Sequence, residues 1–390
     1  MKKTRIIAML LAILMVFVAV SCEEEPAVHS HVYGKEWKSD ATNHWHECEC
    51  GEKADVAEHT FEVVKDGEEL VKKCTVCDYK AEEKIENAIL VTTSDDFVSA
   101  VEDGSKTIYL GANLELASTV EISKNLEINL NGKKIEGKGT RVFLVKSDVE
   151  ISGVGTITVE EGIDIDSSVI RVGFNSTEEK EVSLLIGKDV VVSSDYSYGV
   201  TVFGTKTKET LVVNGTIRTK VAPAVSGLGT DHEMTKITIN GTVFTESDNA
   251  IYHPQVGELL INGTVEGKGG IEMKAGSLDL GENAVVRGGK FVKHDSINNN
   301  GCSTSGYAIA AVNNNNGYAT GVVVNIEKGT IDGIIDIVDD VKPKNFKTGE
   351  TAASISISGG TYTVQPDSKY VKEDYEVKKL SETSWTIVAK

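Results

Sequence analysis

The chain has 390 residues, with 40 Lys and Arg against 59 Asp and Glu, and a formal net charge of −19. An acid excess of that size disfavours nucleic acid and anionic lipid surfaces as partners. Four of the six cysteines, five of the eight histidines and two of the three tryptophans fall between residues 29 and 80, so composition separates a short Cys- and His-rich stretch from a longer body.

In chain order, Met1, Lys2, Lys3 and Arg5 precede an unbroken apolar run from Ile6 to Val20. The run is too short to span a bilayer comfortably and suits a secretory signal. It ends Ala19-Val20-Ser21-Cys22, which resembles the bacterial lipoprotein signal. That resemblance implies that residues 1–21 are removed, that Cys22 receives palmitate-type chains, and that residues 22–28 tether an exported protein to a membrane at the cell surface. Ordinary cleavage nearby, leaving Cys22 a spare thiol, is the alternative. Losing Lys2, Lys3 and Arg5 leaves 37 basic residues against 59 acidic ones. No other segment is apolar enough to span a membrane.

Residues 29–80 read as a small module of their own. Its centre is His44-Trp45-His46-Glu47-Cys48-Glu49-Cys50-Gly51, with His29 and His31 before it, His59 after it, and Cys74-Thr75-Val76-Cys77 near its end. About fifty residues bury too little core to fold unaided, so a metal or disulfides are expected. Three arrangements fit. Structural zinc on Cys48, Cys50, Cys74 and Cys77 is the expected one, two closely spaced thiolate pairs converging on a tetrahedral ion. Disulfides are the second, because an exported chain meets oxidant. In the third, His46, His59 or another histidine replaces a cysteine. The stretch resembles the short His-Trp-His-x-Cys modules of bacterial surface proteins and looks like a zinc ribbon. Those modules carry Cys-x-x-Cys where this chain has Cys48-Glu49-Cys50, which puts the first knuckle's geometry in question. Four thiolates would close the shell, so catalysis by the metal is not expected.

Residues 81–89 read as a linker, and 90–390 as the body. Ser94 is the expected N-cap of a short helix over Asp95–Glu102. Beyond it one phrase recurs: Leu211-Val212-Val213-Asn214-Gly215-Thr216-Ile217, Ile237-Thr238-Ile239-Asn240-Gly241-Thr242-Val243, and Leu259-Leu260-Ile261-Asn262-Gly263-Thr264-Val265. Degenerate copies cover Val149–Val159, Val182–Val192, Leu278–Val286, Val322–Ile331 and Ser354–Val364. A second recurring strand runs through Ile170, Val200, Val225, Ile251, Ile271 and Ile309, whose spacings vary between 20 and 38 residues. Alternation puts every second side chain inside, so aliphatic residues of successive coils stack in a column. Glycine is expected to supply a positive-φ corner, and Asn214, Asn240 and Asn262 a hydrogen-bonded ladder. The Asn-Gly-Thr triplets match the glycosylation acceptor pattern, and a structural turn is the preferred reading. A repeat of this kind marks a solenoid.

The pattern resembles the right-handed parallel β-helix, or pectate-lyase-like, family over about residues 90–365. The resemblance implies an all-β body of roughly ten coils rising about 4.8 Å each, with the helix covering one end and Tyr375–Val388, with Trp385, covering the other. It also raises polysaccharide cleavage. By alternation, Arg171, Thr201, Ser226, Tyr252, Glu272 and Ala310 face outward on the recurring strand. A lyase needs several carboxylates and a base, and a hydrolase needs a tight group of acids. This stripe offers Glu272 alone, with Lys274 beside it. Asp164 and Asp166 near Arg171, and Asp332, Asp336, Asp339 and Asp340, read as surface acids. Arg171, Tyr252, Glu272 and Lys274 are the candidate ligand-binding residues, while His253 suits either face. Cys302 reads as a passive thiol within the insert Asn298–Asn316, which is the expected recognition feature. The expected function is non-enzymatic binding, as an adhesin contacting a glycan or a surface protein. A polysaccharide lyase or glycoside hydrolase is the alternative, and a surface-layer component the third reading.

Overall fold

The computed structural model describes residues 30–104, 107–164, 167–228, 235–289, 301–313, 320–339 and 352–390. The signal segment 1–21, Cys22 and the tether, His29, Asp166, Asp340 and residues 298–300 and 314–316 of the insert lie outside them. Two compact units emerge, one from residues up to Thr60 with Thr75–Tyr79, the other from Phe61–Cys74 with Lys80–Lys390.

The first unit is a three-stranded antiparallel sheet of Tyr33–Ser39, Asn43–Cys48 and Lys53–Glu58. Its first turn is shaped by Asp40, whose Oδ1 accepts from the amides of Thr42 and Asn43, both at 2.8 Å. Those bonds hold the Asp40 carboxyl below the usual carboxylate range. In the second turn, Cys48 N donates to Glu52 O and Gly51 N to Cys48 O, both at 2.9 Å, with Gly51 at positive φ.

The second unit is a parallel β-helix built from three sheets of eleven, twelve and nine strands. Within each sheet the hydrogen-bonded neighbour is usually the third strand along the chain, so one coil contributes one strand to each sheet. The first half of each repeated phrase forms the first sheet and the second half the second. Thus Thr205–Val213, Thr235–Ile239 and Gly257–Ile261 stack in parallel, as do Thr216–Thr219, Thr242–Thr245 and Thr264–Gly267. The second recurring strand forms the third sheet. Inside, Leu211, Val213 and Ile217 lie over Ile237, Ile239 and Val243, then over Leu259, Ile261 and Val265, all fully buried. At roughly 2 kcal/mol for each buried aliphatic side chain, this shared column is the main force holding the coils together.

The asparagine ladder is present. Asn240 Nδ2 donates to Asn214 Oδ1 and Asn262 Nδ2 to Asn240 Oδ1, each at 2.8 Å. The glycine beside it has a different reason from the one expected. Gly215, Gly241 and Gly263 are not among the positive-φ residues. A Cβ on Gly241 would instead stand 2.0 Å from Gly215 O, and one on Gly263 2.0 Å from Gly241 O. These corners need glycine because successive backbones pass too closely for any side chain.

The helix runs over Ser94–Asp103, with Thr93 rather than Ser94 as its N-cap. Thr93 Oγ1 accepts from Asp96 N at 3.1 Å, whereas Ser94 Oγ donates to Glu115 O at 2.7 Å. Gly104 closes it in the left-handed conformation. The helix packs against the opening strands Ala88–Val91, Leu114–Leu116 and Val120–Ile122, one from each sheet, and buries Phe97, Ala100 and Val101. At the other end, Tyr375–Ser381 and Ser384–Ala389 form an antiparallel hairpin. Its second strand pairs with Thr361–Tyr362 at the edge of the second sheet. The hairpin Phe61–Asp66 with Glu69–Cys74 belongs to this unit too: Asn131 Oδ1 accepts from Val63 N at 2.7 Å, and its Nδ2 donates to Val63 O and Leu110 O.

Candidate functional site

The four cysteines do not converge on one point. They divide between two groups, each completed by histidine. In the first, donor atoms of His44, His59, Cys74 and Cys77 all lie within 4.8 Å of one another. His44 comes from the middle strand of the small sheet, His59 follows its third strand, Cys77 lies in the 75–79 segment, and Cys74 immediately precedes that segment. His44, Cys74 and Cys77 are buried. His59 Nε2 stands 2.9 Å from Asp40 O. A carbonyl only accepts, so Nε2 carries the proton and Nδ1 keeps its lone pair, facing Cys77 Sγ at 3.6 Å. The ring stacks on Tyr79 at 4.4 Å. A backbone carbonyl that fixes the tautomer of a histidine in this way is the usual companion of a metal ligand.

This donor set fits a metal ion. Two thiolates and two imidazoles at tetrahedral bond lengths place their atoms roughly 3.3–3.8 Å apart, so a small contraction of the observed group would suffice. His46, named as a candidate ligand, lies elsewhere, stacked on Trp37 at 3.9 Å with Nδ1 3.4 Å from Glu36 O. His44 was not singled out from sequence. The one available signal was the short Cys48-Glu49-Cys50 spacing, which argued against a first knuckle made of cysteine alone.

The second group holds His31, Cys48 and Cys50. Cys48 and Cys50 are joined in a disulfide across the single residue Glu49. His31 Nδ1 lies 3.1 Å from Cys50 Sγ and 3.5 Å from Cys48 Sγ.

On the solenoid, the stripe read from alternation is one continuous ladder. Arg171, Thr201, Ser226, Tyr252, Glu272 and Ala310 pair in register, and Asp336 continues it. It faces out of the coil, yet much of it is covered. Glu272 is fully buried. Its Oε1 accepts from Ser303 N at 2.9 Å, and its Oε2 from Thr304 N at 2.9 Å, Thr304 Oγ1 at 2.6 Å and Asn249 Nδ2 at 3.0 Å. Lys274 Nζ stands 3.5 Å from Glu272 Oε1 and donates to Gly301 O at 2.8 Å. Tyr252 is buried, with Lys274 Nζ 5.7 Å from its ring centre. The insert therefore folds residues 301–305 down onto the stripe, and two of the candidate ligand residues, Glu272 and Lys274, hold that segment in place. Burial pushes the Cys302 thiol well up, and the Glu272 carboxylate adds to the rise, which keeps it protonated. Arg171 lies three coils from Tyr252 along the ladder, with its guanidinium over the Phe203 ring at 3.9 Å.

The remaining acids are engaged locally. Asp332 accepts from Thr363 Oγ1 at 2.7 Å, Asp336 from Tyr370 Oη at 2.5 Å and Asp339 from Asn313 Nδ2 at 3.0 Å. Asp164 is exposed and caps a turn through its carbonyl. His253 points inward and is fully buried, with Nδ1 3.1 Å from Ala275 O.

The outward face of the first sheet is open by contrast. A groove of about 630 Å³ runs beside Thr107, Asn125, Glu127, Asp148, Glu150, Ser183 and Leu185. A second space of about 690 Å³ adjoins Asp148, Glu181, Ser183, Lys208, Thr210 and Lys236. Two strands, Asn175–Ile186 and Thr205–Val213, run longer than their neighbours and pair from Lys180 and Thr207 onward beside this face. Pairing of side chains such as Ser183 Oγ on Asp148 Oδ1 at 2.7 Å and Thr107 Oγ1 on Glu127 Oε2 at 2.8 Å orients the carboxylates. No sequence signal marked this face, because its residues are the ordinary polar half of each alternation.

No family model, no curated protein and no solved structure matches the chain. Among the described residues, no helix is long and apolar enough to cross a membrane.

Proposed function

We propose that this chain is an exported bacterial lipoprotein, held at the cell surface through Cys22, whose pectate-lyase-like β-helix binds a glycan without cleaving it. The observation that carries this reading is the contrast between two faces. The acid on the third sheet, Glu272, is sealed beneath residues 301–305, whereas the first sheet presents an open groove with Glu127, Asp148, Glu150 and Ser183 on neighbouring coils. Carboxylates and hydroxyls repeated at the coil spacing suit the hydroxyl groups of a sugar chain, each sugar offering donors to an acid. The carboxylates also repel uronic acids, so the expected ligand is a neutral glycan. In the same reading, zinc occupies the His44, His59, Cys74 and Cys77 group, since thiolate with imidazole favours that ion and a full shell makes it structural.

The test is a glycan array probed with the full chain, followed by product analysis on the polysaccharides that bind. Retention of neutral glycans without soluble products is expected. Replacing Glu150 by Gln should weaken binding by about tenfold, as expected for one hydrogen bond to a charged group. Release of oligosaccharides would favour the enzyme, and binding untouched by the substitution would remove the groove from the argument.

A further inference from the structure

We propose that His31, Cys48 and Cys50 form a second metal site, one that becomes available only when the disulfide between the two cysteines is reduced. The proposal does not depend on the His44, His59, Cys74 and Cys77 group. Its first support is geometry. One imidazole nitrogen stands 3.1 and 3.5 Å from the two sulfurs, so the three donor atoms a metal would need are already close together.

The second support is the turn that carries the pair. Cys48 N to Glu52 O and Gly51 N to Cys48 O close the hairpin through backbone alone, and Cys50 N donates to Cys48 Sγ at 3.2 Å. The two sulfurs are therefore held near one another by the turn, whether or not they are bonded. A disulfide closing a ring over one intervening residue also removes little chain entropy from the unfolded state compared with a bond closing a long loop. Its presence is poorly explained by stability. Exposure supplies the third argument, since Cys50 and His31 are exposed while Cys48 is buried. A thiol reductant can reach Cys50, and an incoming ion can reach the site.

The exchange balances with an external dithiol. Its thiolate attacks the exposed Cys50 sulfur and the Cys48–Cys50 bond breaks. The second thiol of the reagent then resolves the mixed disulfide. Two electrons pass to the protein, the dithiol leaves as a disulfide, and Cys48 and Cys50 are left as thiols. A zinc ion then displaces the two thiol protons and takes the His31 Nδ1 lone pair, completing two sulfur ligands and one nitrogen. Three protein ligands leave one position open to water, unlike a closed structural shell.

The test counts zinc in the full-length chain, equilibrated with a weak chelator, before and after reduction by a phosphine that does not itself bind zinc. Reduction should add one zinc per chain. His31→Ala and, separately, Cys50→Ser should each abolish that increment while leaving unchanged whatever zinc the oxidised chain holds. Both positions are exposed, so neither substitution removes core. Failure to gain zinc on reduction overturns the proposal, as does a gain that survives either substitution. An oxidised chain with no zinc at all would count against the four-residue group alone, since the increment is read independently of it.

Discussion

His253 sits where a charged ring would be costly. Its imidazole is fully buried, with Nδ1 against Ala275 O, and Nε2 has no hydrogen-bond partner among the described residues. Burial lowers its pKa from 6.5 to about 4. The unfolded chain then binds more protons than the folded one between those two values. The stability that depends on a neutral His253 is complete above pH 6.5, declines as pH falls toward 4, and falls no further below that. Over the whole window the loss amounts to about 3 kcal/mol. Urea unfolding at pH 7.5 and pH 4.5 should show a steeper loss in the native chain than in His253→Gln, which has no proton to take up there. Identical pH dependence would mean that the ring is protonated without cost. Glu272 illustrates the other limit at this scale. Alternation assigned it correctly to the outward row of its strand, yet outward proved not to mean exposed. Which side a residue faces follows from the period of two, whereas what covers that side depends on a segment thirty residues away, Gly301–Ser305, and nothing in the local pattern of the strand announces it. His44 was hidden for a similar reason, since its neighbours His59, Cys74 and Cys77 are brought to it by strand pairing rather than by spacing.

The corner between the first and second sheets is where an element depends most on one atom. Each Asn-Gly corner stacks directly on the next, so the glycine and the asparagine have separable roles. Gly241→Ala would put a methyl 2.0 Å from Gly215 O and 2.5 Å from Asn214 O. Backbone cannot yield there without parting the coils, and the expected loss is about 3 kcal/mol, as for overpacking at a rigid site. Asn240→Ala removes two ladder bonds but leaves only half-buried partners that water can satisfy, so about 1 kcal/mol is expected. The ordering of the two in chemical denaturation is the check, and equal losses would show that the side-chain ladder rather than backbone approach sets the corner. The elements themselves were legible because each coil repeats the same instruction: alternation, Asn-Gly, alternation, then an isolated aliphatic strand. The reason for the glycine was less legible, since positive φ and close stacking select the same residue. Only the φ values at Gly215, Gly241 and Gly263 separate the two causes.

At the scale of the molecule, the two units rest on different sources of stability. The solenoid has a continuous aliphatic column shared by its coils, capped by Phe97 at one end and bordered by Tyr362 and Tyr370 near the other. The small sheet of residues 33–58 buries only Trp45, His44 and Cys48 among its strand residues, far too little apolar surface to offset the entropy of ordering its chain. If a metal ion joins His44 and His59 to the 74–77 turn, the ion is the core that this unit otherwise lacks, and its binding energy is folding energy. Removing it should then be felt in the small sheet and not in the coils of the solenoid. Hydrogen exchange with and without a strong chelator should show protection lost over Asn43–Cys48 and Lys53–Glu58, while amides of Thr235–Ile239 and Gly257–Ile261 exchange as before. His59→Ala should reproduce the chelated pattern without chelator. Unchanged protection across the small sheet under both treatments would show that strand pairing suffices, leaving the four donors near one another for some reason other than a metal.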